Sequence, residues 1–244
     1  MSVKDHYDTL LGGIYSWMIG DFESNAVQQE NFFRTRNLTS CGIAFDLGCG
    51  NGIQSVALAR LGYSVFSFDF NRHLLDELET KKGELDITTI QCDLMNFDAE
   101  QSIHPDLIVC MGDTLTHLPD RETIFALLNK CSSALVPGGS LVISFRDMSM
   151  ALEGDARFIP VKSDDTRIMT CFLEYFDDHV AVHDLVNEKK EGLWVQKVSS
   201  YNKVRISENE MKELLAESGF SVISSEIINR MVYITAKKKG AVDL

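Results

Sequence analysis

From Ile43 to Phe145 short apolar runs and helical runs alternate, joined by only a few residues each. "IAFDL" has the length and content of a strand, and "IQSVALARLG" that of a helix stopped by Gly62. "SVFSFD" predicts the second strand and "RHLLDELETKK" the helix after it, followed by strands at "ITTIQCD" and "DLIVCMGD". "RETIFALLNKCSSAL" is a further helix, closed by the turn at Pro137 to Gly139, and "SLVISF" is the fifth strand. Strand–helix–strand repetition with short links implies right-handed crossovers and a parallel sheet covered on both faces. Ligands of such sheets sit beyond the carboxyl ends of the strands, where strand order reverses.

After Phe145 the pattern changes. "RIMTCFLEYFDDHVAVHDLVNE" and "LWVQKVSSYNKVRI" read as antiparallel strands. A helix follows, with Ser207 and Glu210 spaced as a capping box and Gly219 as its stop. "SVISSEIINRMVYITAKK" then predicts two antiparallel strands turning at Asn229–Arg230. The expected fold class is α/β: a doubly wound, mainly parallel seven-stranded sheet with an antiparallel last strand, plus an antiparallel β lid inserted after strand five. The expected organisation is an N-terminal helical cap (1–39), an α/β core (40–148), the lid (149–206), and a helix with strands completing the sheet (207–244).

The formal net charge of −13 argues against a nucleic-acid partner, since phosphate backbones are bound by lysine and arginine. Lys237 to Lys239 form the one basic run, which reads as a solvated tail. The six cysteines form no CxxC pair and no metal-ligand spacing with histidine, so reduced core thiols are expected. "MSVKDHYDTL" lacks the basic and apolar regions of a signal peptide, and no apolar segment reaches transmembrane length. A cytoplasmic chain with no membrane partner is expected.

Chemistry concentrates at the strand ends. In "AFDLGCGNG" the glycines Gly48, Gly50 and Gly52 follow the first strand, but Ile53 stands where a dinucleotide fingerprint has its third glycine. Asp46 is a poor neighbour for a pyrophosphate and a good one for a ligand carrying ammonium and sulfonium groups, as S-adenosylmethionine does. Asp69 ends the second strand, where an acid accepts from ribose hydroxyls. It also suits a helix cap, although Asn71 is closer to that role. In "CDL", Asp93 could accept from an adenine amine with the Leu94 N–H facing a ring nitrogen; alone, Asp93 reads as a turn residue.

Together these residues resemble the motif series of class I S-adenosylmethionine-dependent methyltransferases, which share a Rossmann-like fold. "MIGD" (18–21), "IVCMGDTLTHLPD" (108–120), "LVPGGSLVISFRD" (135–147) and "VKSDDT" (161–166) narrow the resemblance to the glycine N-methyltransferase group. That resemblance implies methyl transfer to the amine of a small, amino-acid-like acceptor, with S-adenosylhomocysteine as product. It implies that Asp46, Gly48 and Gly50 line the methionine part of the cofactor, as does the backbone at Cys110 and Met111. Asp69 would serve the ribose, Asp93 and Leu94 the adenine, and Arg146 the acceptor's carboxylate, with Cys49 and Phe70 also counted among the cofactor-binding residues. The group includes homo-oligomers.

Departures from the group concern the acceptor. Asp113 stands in place of an asparagine, and an anion there repels a carboxylate and attracts a cation. Val161 and Leu185 replace pocket tyrosines. His117 and Asp113 are the candidates for taking a proton from the acceptor, although His117 also reads as a structural histidine. Tyr15 and Trp17 read as core residues or as an aromatic wall for a sulfonium, and Arg34 and Arg36 as solvated charges, one of which could reach the cofactor carboxylate. His179, His183 and Asp184 lack a further ligand at useful spacing, so no metal is expected. O-methylation of a small metabolite, a non-catalytic cofactor-binding subunit and a dehydrogenase are the rival readings.

Overall fold

A computed structural model describes residues 2–97 and 103–240. The sheet strands predicted above are all present: β1 (Ile43–Leu47), β2 (Ser64–Asp69), β3 (Ile87–Gln91), β4 (Leu107–Cys110) and β5 (Ser140–Phe145). β6 (Phe158–Ser163), β7 (Arg167–Tyr175), β8 (His179–Lys190) and β9 (Leu193–Val204) form a separate antiparallel sheet. β10 (Phe220–Ile228) and β11 (Met231–Lys238) rejoin the first sheet, whose order is β10-β11-β5-β4-β1-β2-β3. β11 pairs antiparallel with both neighbours, and the pairs from β5 to β3 are parallel. The expected α/β class with its inserted β lid is therefore what forms.

The helices are α1 (Val3–His6), α2 (Tyr15–Ile19), α3 (Phe22–Thr35), α4 (Ile53–Arg60), α5 (Arg72–Lys81), α6 (Arg121–Ala134) and α7 (Glu208–Glu217). Side-chain alternation along β1 sends Phe45 and Leu47 to one face of the sheet, where they pack with Leu127 of α6 and Leu215 of α7. Ala44 faces the other way, into a core with Val56 of α4 and Leu75 of α5. Asp46 shares that second face, which decides its environment. Ser207 and Glu210 form the predicted capping box of α7. Asn229 and Arg230 turn the last hairpin with left-handed φ of 50° and 63°.

Three features differ from the expectations. The basic run at Lys237 to Lys239 is not a tail: Lys237 and Lys238 belong to β11, and the Lys238 ammonium donates to the Leu135 carbonyl at 2.7 Å. β6 has no counterpart in the reading above, because Pro160 and a bulge before Lys162 break its alternation. The N-terminal segment is helical but not one helix. A wide π turn at Tyr7–Leu11 and a 3₁₀ turn at Gly12–Ile14 join α1 to α2.

That segment lies against the lid sheet, with Leu10, Leu11 and Ile14 packed on Met169 and Val186. His6 is fully buried between Ser199 Oγ (2.7 Å) and Asp184 Oδ2 (3.0 Å). The Cys171 thiol donates to the other oxygen of Asp184 at 2.6 Å. Asp184 is thus spent on this tether; His183 faces Glu174 and His179 stacks on Phe176. Among the described residues no His/Cys/Asp/Glu cluster could hold a metal, and no helix is long and apolar enough to cross a membrane.

Candidate functional site

Beyond the carboxyl ends of the parallel strands lies a cavity of 770 Å³, within the range of roughly 300–1,000 Å³ usual for small-molecule sites. One half lies over the glycine loop and the ends of β2 and β3, lined by Gly48, Gly50, Asp69, Phe70, Asp93 and Leu94. The other half lies among Thr114, His117, Pro119, Asn202 and Lys203. Ser2, Val3 and the exposed Lys4 and Asp178 mark its solvent side. Tyr7 and Tyr15 of the N-terminal segment line the wall as well.

The first half is built largely from backbone. The N–H groups of Gly48 and Cys49 both donate to the Phe68 carbonyl, at 2.8 and 3.0 Å, and turn the chain around the end of β2. Gly48 has a left-handed φ of 71°, and a Cβ there would lie 2.3 Å from Thr114 Cγ2. A Cβ on Gly52 would meet Leu78 at 2.2 Å, so its absence lets α4 start close against α5.

Asp69 accepts the Gly50 N–H at 2.9 Å on one oxygen and the Asn71 N–H at 2.8 Å on the other. Burial nonetheless pushes its carboxyl above the ordinary value. Asn71, not Asp69, caps α5, its Oδ1 accepting the Leu74 N–H at 3.1 Å. Asp93 is exposed and accepts the Met95 N–H at 2.8 Å, so it is a turn residue that also faces the cavity.

Four of the expected cofactor residues lie beneath the cavity rather than on its wall. Asp46 is 1% exposed and accepts from Ser55 Oγ at 2.6 Å, with Ser67 Oγ behind it. Burial pushes its carboxyl up to about 7. Cys49, Cys110 and Met111 are core residues, and the next residue, Gly112, reaches the cavity.

The second half is held by side chains from distant parts of the chain. After β4, Gly112 donates to Ser144 Oγ at 2.9 Å and Asp113 to the Ser144 carbonyl at 3.1 Å, lacing the loop to β5. Asp113 adopts a left-handed φ of 74° and is buried. Its Oδ1 accepts from the Arg146 backbone N–H and from Thr116 Oγ, both at 2.9 Å, and its Oδ2 is paired with the Lys203 ammonium. Burial alone would raise this carboxyl, but Lys203 beside it holds it below the usual range.

Arg146 reaches Asp113 only at 4.0 Å, is 46% exposed, and does not line the cavity. The anion expected to await a cationic acceptor already has its cation, and that cation is Lys203. Lys203 was not anticipated. The available signal is its register: Ser199, Tyr201 and Lys203 alternate along β9, and all three are buried.

His117 lines the cavity between the rings of Tyr7 (5.9 Å) and Tyr201 (5.3 Å), and its Nε2 is buried without a hydrogen-bond partner. Burial first, and the Lys203 charge second, lower its proton affinity to about 3, so it is a neutral imidazole at ordinary pH. Trp17 is off the cavity and donates to Asp164 at 2.5 Å. Arg34 pairs with Glu30 at 2.6 Å, and Arg36 pairs with Glu226.

Residues 44–139 match the methyltransferase domain family. The cypemycin N-terminal methyltransferase of a Streptomyces species is 30% identical over 127 residues, covering 51% of each chain. The mitochondrial ubiquinone biosynthesis O-methyltransferase of Schizosaccharomyces pombe is 30% identical over 168 residues, 67% of this chain and 58% of that one. The chain thus spans about half the length of the curated relatives it matches. Among solved structures, an S-adenosylmethionine-dependent methyltransferase from Clostridium acetobutylicum superposes with a TM-score of 0.75 at 16% identity, covering 97% of this chain and 98% of that one.

Proposed function

With residues 44–139 matching the methyltransferase domain family, we propose that this chain is an S-adenosylmethionine-dependent methyltransferase acting on a small molecule. The observation that carries the reading is the charge of the wall over the glycine loop: it presents the Asp69 carboxylate, and the two lysines among the described lining residues are already paired, the exposed Lys4 with Asp8 and Lys203 with Asp113. Such a wall suits a nucleoside that bears cationic groups and no phosphate. The narrow glycine turn, which a Cβ at Gly48 would close, fits the same ligand. Asp69 would hold the ribose, Asp93 and Leu94 the adenine, and Gly48 and Gly50 the amino-acid portion. The cofactor supplies an activated methyl group on a sulfonium.

The protein's own part is then alignment and exclusion of water. Positioning of this kind is worth on the order of 7–11 kcal/mol in well-oriented systems. Tyr7 and Tyr15 form an apolar wall on one side, and the tether from His6 to Asp184 keeps the N-terminal segment over the cavity. His117 offers an unpartnered nitrogen but too little proton affinity to strip an ammonium. The amino-acid acceptor implied by the glycine N-methyltransferase resemblance needs Arg146 on the cavity, and Arg146 lies off it. A hydroxyl acceptor needs a cation there, and Lys203 provides one. The net charge of −13 weighs against nucleic acid in either case.

Calorimetric titration with S-adenosylmethionine and with NAD tests the cofactor, and binding of NAD alone would return the dehydrogenase. Methyl-labelled cofactor offered with hydroxyl, amine and thiol compounds tests the reaction. Cofactor binding with no transfer to any of them would leave a binding subunit instead of an enzyme.

A further inference from the structure

We propose that Lys203 binds the methyl acceptor through an oxygen and holds that oxygen as an oxyanion, so that the acceptor is an acidic hydroxyl compound, a phenol or an enol. This rests on the methyltransferase reading above and names its substrate class. Two lysines are found among the described cavity-lining residues. Lys4 is 60% exposed and paired with Asp8, whereas Lys203 is buried on the wall beside His117. An ammonium has three N–H donors, and Asp113 Oδ2 occupies one of them.

Local charge gives the direction. Asp113 is a single carboxylate shared between two cations within 4.0 Å, the buried Lys203 and the half-exposed Arg146, so it offsets Lys203 only in part. The groups around Lys203 do not cancel the rest. Tyr7, Tyr201 and the Cys171 thiol are kept protonated by burial, and His117 is neutral. Asp184 is engaged by His6 and Cys171, and of the carboxylates lining the cavity Asp178 and Asp93 are exposed and Asp69 is held by the Gly50 and Asn71 N–H groups.

An ammonium acceptor would be repelled by Lys203, and the neutral amine left after its proton had gone to bulk water would gain no ion pair there. A hydroxyl loses its proton to bulk water on the solvent side, the O–H electron pair stays on oxygen, and the resulting anion balances Lys203. Low local dielectric strengthens the pairing, as it does for any buried charge. The proton is gone before the oxygen needs to act as a nucleophile, which explains how a site with so weak a base can work.

4-Nitrophenol is a direct probe, because its visible absorbance reports ionisation without turnover. In the complex with S-adenosylhomocysteine, it should ionise at least about one pH unit below its value in water, a tenfold change in acidity. Lys203→Met alone would strand Asp113, so the decisive variant is Lys203→Met with Asp113→Asn, which leaves no unpaired charge. That variant should lose the shift and bind nitrophenolate about 30-fold more weakly, with unchanged affinity for S-adenosylhomocysteine by calorimetry. Lys203→Arg should keep the shift.

Equal shift and affinity in the double variant, or no binding of nitrophenol to the parent protein, would overturn the assignment. So would transfer of labelled methyl to amines and not to hydroxyls. Failure of S-adenosylhomocysteine itself to bind would remove the methyltransferase reading instead, so the two failures are told apart.

Discussion

Two buried carboxylates at the ends of adjacent strands, Asp46 on β1 and Asp113 after β4, have opposite electrostatics. Asp46 has a serine for a partner and no cation, and burial pushes its carboxyl up to about 7. Asp113 has Lys203, and its carboxyl is held down. The difference follows from where the partners come from. Ser55 lies nine residues along the chain from Asp46, on the helix that the glycine loop opens, whereas Lys203 lies 90 residues from Asp113, on the lid sheet. The half of the cavity over the glycine loop is thus a local construction, and the half around Lys203 exists only once lid and core have met.

The contrast can be broken most severely at Lys203. Lys203→Met alone leaves Asp113 charged and buried, and should cost about 3–5 kcal/mol of stability, read by urea unfolding at neutral pH. Recovery of most of that loss on adding Asp113→Asn would confirm that the cost belongs to the stranded charge.

Next comes Asp69→Ala, which removes the carboxylate that lines the cavity over the glycine loop. Binding of S-adenosylmethionine should weaken by about 10- to 100-fold, the scale of one or two hydrogen bonds to a charged group. Unchanged affinity by calorimetry would take Asp69 out of the site.

Asp46 offers a smaller effect with a distinctive pH signature. Its folded carboxyl titrates about 7 against an ordinary value of 3.8. Between those values the native state holds a proton that the unfolded chain has lost, so stability falls as pH rises through this window. Asp46→Asn keeps an acceptor for Ser55 and carries no charge. It should flatten that slope and be more stable than the parent at pH 8 by about 1–2 kcal/mol. A parent protein with no loss of stability from pH 4 to 8 would contradict the environment described for Asp46.

Arg146→Ala sharpens the comparison by its smallness. An exposed cation 4.0 Å from its partner contributes about 0–1 kcal/mol, so the acceptor's KM should change by no more than a fewfold. A large rise would bring back the amino-acid acceptor.

This division explains what could be read from the chain. β1 to β5 and the helices between them were legible because their periodicity and stops are local. The same holds for the α7 capping box and the Asn229–Arg230 turn. The acids at strand ends were legible as candidates for the same reason, although Asp46 turns under the sheet while Asp69 and Asp93 reach the cavity. β6 was hidden because a proline and a bulge erase its alternation. Lys203 was hidden because its meaning is a pairing across 90 residues. A lysine in a strand reads as solvated until the register of β9 is known.

The placement of Ser2 and of β11 has a practical consequence for anyone handling the protein. Ser2 and Val3 border the cavity on its solvent side. β11 instead runs down to pair Lys237 with Ser140, at the start of β5 and therefore at the opposite end of the parallel strands. A purification tag fused ahead of Ser2 would crowd the entrance and loosen the His6 anchor. One fused after the last strand would leave both untouched, and assays of acceptor range should be run on that version.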